Sequence, residues 1–308
     1  MVSILLFPGQ GSQRVGMGKD LAEAFPAARK TFADIDEALA TPLSRTMWEG
    51  PEELLQQTHN AQPAILAHSA AVLAVAQERL GVVAGAAGHS LGEYSAYVAA
   101  GALTPVEAAR LVRRRGELMH DAGSRRPGAM AAIFGLATAE VERACGAAST
   151  PEEVVVPANL NAPDQTVISG DPAAVGRAGD ACKAAGAKRV LPLKVSGAFH
   201  SPLMAPAAAG LASALEGSDF GEPRFPVVAN ASARAVHTAG EARRLLADQL
   251  TASVRWVECV RALAALAPGA RFVEIGPGTV LVGLLKRILP DADCLSLSTA
   301  GDVERLLA

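Results

Sequence analysis

The sequence predicts an α/β fold, and three observations carry that prediction. Short apolar runs end at glycine-rich turns, the first being residues 2–7 before Pro8-Gly9-Gln10-Gly11. Helical stretches alternate with those runs. Half of the 308 residues are hydrophobic, 19% are charged and only 4% are aromatic, a small-residue composition that suits helices packed closely on a sheet. A chain of this length buries a substantial core, in one large domain or in one large and one small.

The elements follow in order. Residues 2–7 read as a buried strand, and 18–40 as a polar helix. From Ala61 to Leu80 a long Ala/Leu/Val helix is bracketed by Pro63 near its start and Gly81 after its end. Val82–Ala87 is a strand of small residues that runs into Gly88-His89-Ser90-Leu91-Gly92, after which a helix continues to about Ala100. Between Gly128 and Lys194 the order becomes βαββαβ: strands at 129–135, 154–159, 165–169 and 189–193, with helices starting at Thr138 and Pro172. That split repeat is a self-contained ferredoxin-like unit. Residues 128–194 are therefore expected to form a small domain inserted in a larger one made of 1–127 and 195–308, entered through the Pro/Gly/Arg-rich stretch 123–128. The larger part resumes with a strand at 226–230, helices near 240–250 and 255–266, a strand at 271–275 and a helix after Gly276-Pro277-Gly278.

Several function classes receive no support. A net charge of −3 offers no electrostatic reason to expect nucleic acid or an anionic membrane as partner. Cys145, Cys182, Cys259 and Cys294 are far apart, with no CxxC pair and no histidine at zinc spacing, so they are expected to be ordinary thiols and no metal site is expected. The first residues carry neither a basic stretch nor a signal-length apolar run, and no apolar run reaches the length of about 18 residues that a membrane span needs. The expected location is the cytoplasm.

The chemistry concentrates around Ser90. A serine inside GxSxG, between a strand and a helix, sits on a strained elbow that exposes its hydroxyl. The following helix aims its N-terminal amides at the same spot, which places the Leu91 N–H to stabilise an oxyanion. A serine hydroxyl needs a base. Of the six histidines, His89 adjoins the serine but points away at a tight turn, and His59, His68, His120 and His237 have no accompanying motif. His200 stands apart because Ser196-Gly197-Ala198-Phe199-His200-Ser201-Pro202 is turn-rich and returns the chain to the large domain; sequence logic alone leaves it one candidate base.

The helix from Thr104 to about Ala122 opens with a capping threonine and Pro105. Its apolar stripe of Ala108, Leu111, Val112, Leu118, Met119 and Ala122 includes Arg115, whereas Arg113 and Arg114 are expected to point away. A packed arginine needs an anion. Two readings stand: a structural ion pair, or a guanidinium that clamps a substrate carboxylate through paired hydrogen bonds.

Assembled, these residues make the chain resemble the malonyl-CoA:acyl carrier protein transacylases, the loading acyltransferases of fatty acid and polyketide synthesis. The resemblance runs nearly end to end and rests on Phe7-Pro8-Gly9-Gln10-Gly11-Ser12-Gln13, Gly88-His89-Ser90-Leu91-Gly92-Glu93-Tyr94-Ser95, Arg115-Gly116, Asn159-Leu160-Asn161, Gly197-Ala198-Phe199-His200 and Glu274-Ile275-Gly276-Pro277-Gly278. It implies an α/β-hydrolase-like large domain with the ferredoxin-like insert. By similarity Ser90 is the nucleophile, His200 the base, Gln10 and Leu91 the oxyanion donors, Arg115 the carboxylate clamp and Gln249 the carbonyl that orients His200. Asn161 lines the site, and Phe199 goes with malonyl selection. The resemblance implies malonyl-CoA as donor, the phosphopantetheine thiol of an acyl carrier protein as acceptor, and no metal or redox cofactor. Lys188-Arg189 and Lys286-Arg287 offer charge to coenzyme A phosphates or an acidic carrier. A serine hydrolase or thioesterase is the main alternative, disfavoured because over 100 residues follow His200. A catalytically dead carrier-binding scaffold is the third reading.

Overall fold

The computed structural model describes residues 2–195 and 197–308, so Ser196, the first residue of the turn-rich segment around His200, lies outside the described residues. The strands are β1 (Val2–Phe7), β2 (Val82–Gly88), β3 (Ala129–Phe134), β4 (Val155–Ala162), β5 (Gln165–Gly170), β6 (Arg189–Pro192), β7 (Val227–Val228), β8 (Ala235–Val236), β9 (Arg271–Ile275) and β10 (Cys294–Leu297). They form two sheets, and the fold is mixed α/β.

The six-stranded sheet has the order β10-β9-β1-β2-β7-β8 and is parallel except for β8. Period-two alternation explains why β1 lies at its centre: Leu5 and Phe7 face one apolar cluster while Ile4 and Leu6 face another with Trp256, Leu263 and Leu285. A parallel sheet must be covered on both faces in this way. The four-stranded sheet, of order β4-β5-β3-β6, is antiparallel throughout. Helices Thr138–Ala148 and Pro172–Ala184 cover it through a core of small side chains that includes Ala131, Val141, Cys145, Ala178 and Cys182. β4 touches the larger unit where Leu160 N–H donates to Val254 C=O at 2.9 Å and Val254 N–H donates to Ala158 C=O at 2.8 Å.

The structure departs from the sequence reading in places. The single helix expected over 18–40 is two, Lys19–Ala24 and Pro26–Leu39, because the residue before a proline is driven extended and Phe25 has φ −125° and ψ 117°. The long helix begins earlier, at Thr58, and holds Pro63 within it. The strand expected over 226–230 shrinks to Val227–Val228, since the chain turns at Ala229 and closes a tight loop with Ala233 at φ 53°. β8, β10 and the helices Ala205–Glu216 and Ala300–Leu307 were not expected. All four cysteines are free thiols, and no helix among the described residues is long and apolar enough to cross a membrane.

Candidate active site

The C-terminal ends of β1 and β2 lead into the site. Ser90 follows β2 at φ 53°, a left-handed conformation that costs a non-glycine residue on the order of 1–3 kcal/mol. The surroundings enforce it. His89 N–H donates to Phe7 C=O at 2.8 Å, Ser90 N–H donates to Asn230 Oδ1 at 2.7 Å, and Gln249 Nε2 donates to Ser90 C=O at 3.1 Å. Only glycines fit beside it: a Cβ on Gly88 would lie 1.8 Å from the Gly92 carbonyl carbon, and one on Gly92 would lie 2.2 Å from Phe7 O. These approaches press helix Gly92–Ala99 against the sheet, and its Glu93 N–H donates to Ser90 C=O at 3.1 Å.

His200, also left-handed at φ 57°, brings Nε2 to 2.7 Å from Ser90 Oγ. Its Nδ1 lies 2.9 Å from the main-chain carbonyl of Gln249. A carbonyl only accepts, so Nδ1 carries the proton and Nε2 turns a lone pair to the serine hydroxyl. Burial, helped by the nearby Arg115 charge, pushes the His200 pKa down to about 3, which keeps the imidazole neutral. The amides of Gln10 and Leu91 donate to no other group among the described residues. Both residues line, with Ser90, His200, Arg115 and Phe199, a cleft of about 510 Å³.

Arg115 is 1% exposed and reaches Ser90. Nη1 donates to Gln62 Oε1 at 2.6 Å, and Nη2 donates to Gln249 Oε1 at 2.9 Å and to Ser90 Oγ at 3.1 Å. Its neighbours Arg110 and Arg114 pair with Glu107 and Glu117, but Arg115 has no carboxylate within ion-pair distance among the described residues. The structural ion pair considered from the sequence is thus not what this arginine forms. Nε has no partner among the described residues, and Nε and Nη2 share the guanidinium edge that grips a carboxylate side-on. A desolvated cation held only by neutral groups is costly until an anion arrives. Arg113 corrects a second expectation: it is half-buried and donates to Asn60 Oδ1 at 2.7 Å rather than pointing to solvent.

The remaining residues singled out from sequence fall into two groups. Asn161 Oδ1 lies 2.8 Å from His89 Nε2, so it holds His89 at the cleft wall, and Phe199 is buried beside His200. The rings of His59 and His120 meet edge to face at 5.3 Å outside the cleft, His68 is buried elsewhere and His237 is exposed. Arg189 stacks 4.5 Å over Phe134, Lys286 donates to Ala292 C=O at 2.8 Å, and Arg287 pairs with Asp164 and Gln165. Sequence reasoning missed Gln62, Asn230 and the packing role of Glu93. The available signals were a carboxylate on the packed face of the elbow helix and an asparagine ending the apolar run Val227-Val228-Ala229.

Comparison with known proteins agrees with this geometry. Residues 4–305 match the acyl transferase domain family. A malonyl CoA-acyl carrier protein transacylase of Bacillus subtilis is 44% identical over 97% of this chain and 94% of its own length. One from Escherichia coli K12 is 44% identical over 98% and 97%. Among solved structures, a malonyl-transacylase in complex with its type II PKS acyl-carrier protein superimposes with a TM-score of 0.94 at 45% identity, covering 100% of this chain and 99% of that one. A transacylase from Xanthomonas oryzae gives 0.94 at 43% identity, covering 99% and 97%.

Proposed function

From the premise that this chain belongs to the malonyl-CoA:acyl carrier protein transacylase family of acyl transferases, we propose that it moves a malonyl group from coenzyme A to a carrier-protein thiol through an ester on Ser90. The observation that carries the reading is Arg115: a buried guanidinium without a carboxylate partner among the described residues, 3.1 Å from the nucleophilic oxygen, with an unused Nε–H. A malonyl carboxylate, two carbons beyond the reacting carbonyl, completes that site. A neutral acetyl group cannot.

The chemistry then balances in two halves. His200 Nε2 takes the Ser90 proton as Oγ attacks the thioester carbonyl, and the oxyanion accepts from the amides of Gln10 and Leu91. The C–S bond breaks, and the coenzyme A sulfur leaves with the proton from Nε2. The pantetheine thiol gives its proton back to His200, attacks the Ser90 ester and returns the hydroxyl. A thiolate leaves easily, so a histidine oriented by a main-chain carbonyl suffices where peptide cleavage uses an aspartate. The residues require no metal or redox cofactor for these steps.

The partner and the setting follow the same reading. The acceptor is an acyl carrier protein, and the enzyme works in the cytoplasm, supplying extender units for fatty acid or polyketide synthesis. The sheet order β4-β5-β3-β6, with helices after the first and third strands, supports reading residues 128–194 as a ferredoxin-like domain inserted in an α/β-hydrolase-like domain of 1–127 and 195–308. Of the basic pairs, Arg189 has no acidic partner among the described residues, whereas Arg287 is already paired. Rapid-quench transfer with a pantetheinylated carrier tests the function. Transfer that outruns loss to water is the expected result; an ester lost to water equally fast with and without carrier makes the chain a thioesterase.

A further inference from the structure

Glu93 lies under the nucleophile, 0% exposed, in the first turn of helix Gly92–Ala99. Oε2 accepts from Gln249 Nε2 at 2.7 Å and from the Asn230 main-chain N–H at 2.9 Å, while Oε1 has no partner among the described residues. Those two donors are the residues that hold the site. Asn230 Oδ1 accepts from Ser90 N–H at 2.7 Å and Nδ2 donates to Gly88 C=O at 2.7 Å, which pins the strained elbow from below. Gln249 gives its main-chain carbonyl to His200 and its Oε1 to Arg115, at 2.9 Å each.

A side-chain amide can sit in two flipped orientations, and its neighbours decide between them. Arg115 can only donate, whereas an ionised Glu93 and the Ser90 carbonyl can only accept. One orientation of Gln249 satisfies all three. Without the Glu93 charge the bond from Gln249 Nε2 weakens to one with a neutral acceptor, leaving the 3.1 Å bond to Ser90 C=O and a 3.5 Å one to Asn230 Oδ1 as the other ties on the NH2 end, and a flipped amide would set NH2 against the guanidinium. We propose that Glu93 is a positioning residue for acyl selection: its carboxylate locks the Gln249 amide and thereby holds Arg115 at the acyl pocket. The proposal deepens the reading of Arg115 as the malonyl clamp and rests on it.

Charge state gives a second handle. Burial raises the Glu93 pKa to about 7, against the bonds from Asn230 and Gln249 and the Arg115 charge. Burial moves the tyrosines, the cysteine and the histidines around it away from neutrality. Burial drives Tyr94 and Tyr97 on its own helix, and Cys259 from helix Trp256–Leu266, far upward. His200 is pushed down to about 3, His89 is lowered, and Arg115 stays cationic.

The test is the ratio of malonyl to acetyl loading on Ser90, read by intact mass at short times for the wild type and Glu93→Gln. Exchanging a charged for a neutral acceptor is expected to lower the ratio about fivefold to tenfold at pH 8. The wild-type ratio is expected to fall between pH 8 and pH 6, and that of Glu93→Gln to stay flat. A purely structural role would slow both acyl groups alike. An unchanged ratio and an unchanged pH profile in Glu93→Gln overturn the proposal. If that variant does not fold, Glu93→Asp, which keeps the charge but shortens the reach, must also lower the ratio, and an unchanged ratio there overturns it. A wild type with no malonyl preference fails the Arg115 reading first, and the Glu93 proposal falls with it.

Discussion

Two cavities of similar size lie at opposite ends of the parallel sheet, about 510 Å³ beyond the ends of β1 and β2 and about 450 Å³ beside the starts of β9 and β10. The first gathers Ser90, His200 and Arg115, two of them in left-handed backbone and the third a desolvated cation. The second is walled mainly by Ala264, Ala267, Phe272 and Leu289, and Asp293 at its rim is already paired with Arg271 at 2.7 Å. Volume therefore says little about chemistry. What separates the two ends is strain and unmet charge, and both accumulate where parallel strands release their chains.

The comparison breaks if the strained end is not the reactive one. Ser90→Ala is expected to lower acylation by roughly 10⁴- to 10⁶-fold, since in the proposed mechanism Ser90 and His200 act as a unit. Intact mass after exposure to malonyl-CoA checks it, and an adduct of wild-type yield would place the chemistry elsewhere. Arg115→Met should cost roughly ten- to a hundredfold in malonyl loading, the worth of lost charged hydrogen bonds, while acetyl loading falls less. The same variant should melt no lower than the wild type, because it removes a buried cation that no carboxylate compensates. Loss of stability together with equal loss of both acyl groups would mean that Arg115 serves packing alone.

The stability profile sharpens the contrast, because His200 and Glu93, two of the buried groups with large shifts, lie at the Ser90 end. Burial holds His68 and His200 neutral, with pKa values pushed down from 6.5 to about 4 and about 3. The stability they contribute is complete above pH 6.5 and is lost as pH falls through those folded values. Glu93 and Glu274 run the other way, raised by burial from 4.5 to about 7, so their contribution is complete below pH 4.5 and is lost as pH rises through 7. Between pH 4.5 and 6.5 the two pairs oppose each other. Thermal melts should show a near-plateau there and a decline below about pH 4.5. A steady fall from 6.5 downward would show the histidines unopposed. The smallest effect belongs to the apolar end: Ala267→Leu is expected to change Ser90 loading by less than about twofold, the range of ordinary substitutions remote from a site.

Much of this contrast was legible in the sequence, and its limits have physical causes. The GxSxG elbow is a local pattern with one steric solution, so Ser90 and Leu91 could be read from five residues. Arg115 betrayed itself by helical phase on an apolar stripe. The strands at 129–134 and 165–170 and the helices starting at Thr138 and Pro172 were likewise visible, because periodicity and proline mark them locally. Gln62, Asn230 and Glu93 were not, since they matter through contacts that join residues up to 156 positions apart. The break at Phe25 could have been seen from Pro26. The shortening of β7 could not, because it follows from Asn230 being drawn under Ser90.

The most direct test of the account is to trap the acyl-enzyme with malonyl-CoA, map the modified peptide, and then add a pantetheinylated carrier protein. One malonyl unit on Ser90, discharged to the carrier thiol faster than to water, is the predicted result. A malonyl ester on another residue, or none on a folded protein, would contradict the claim that the strained serine and its unpaired arginine form the working site.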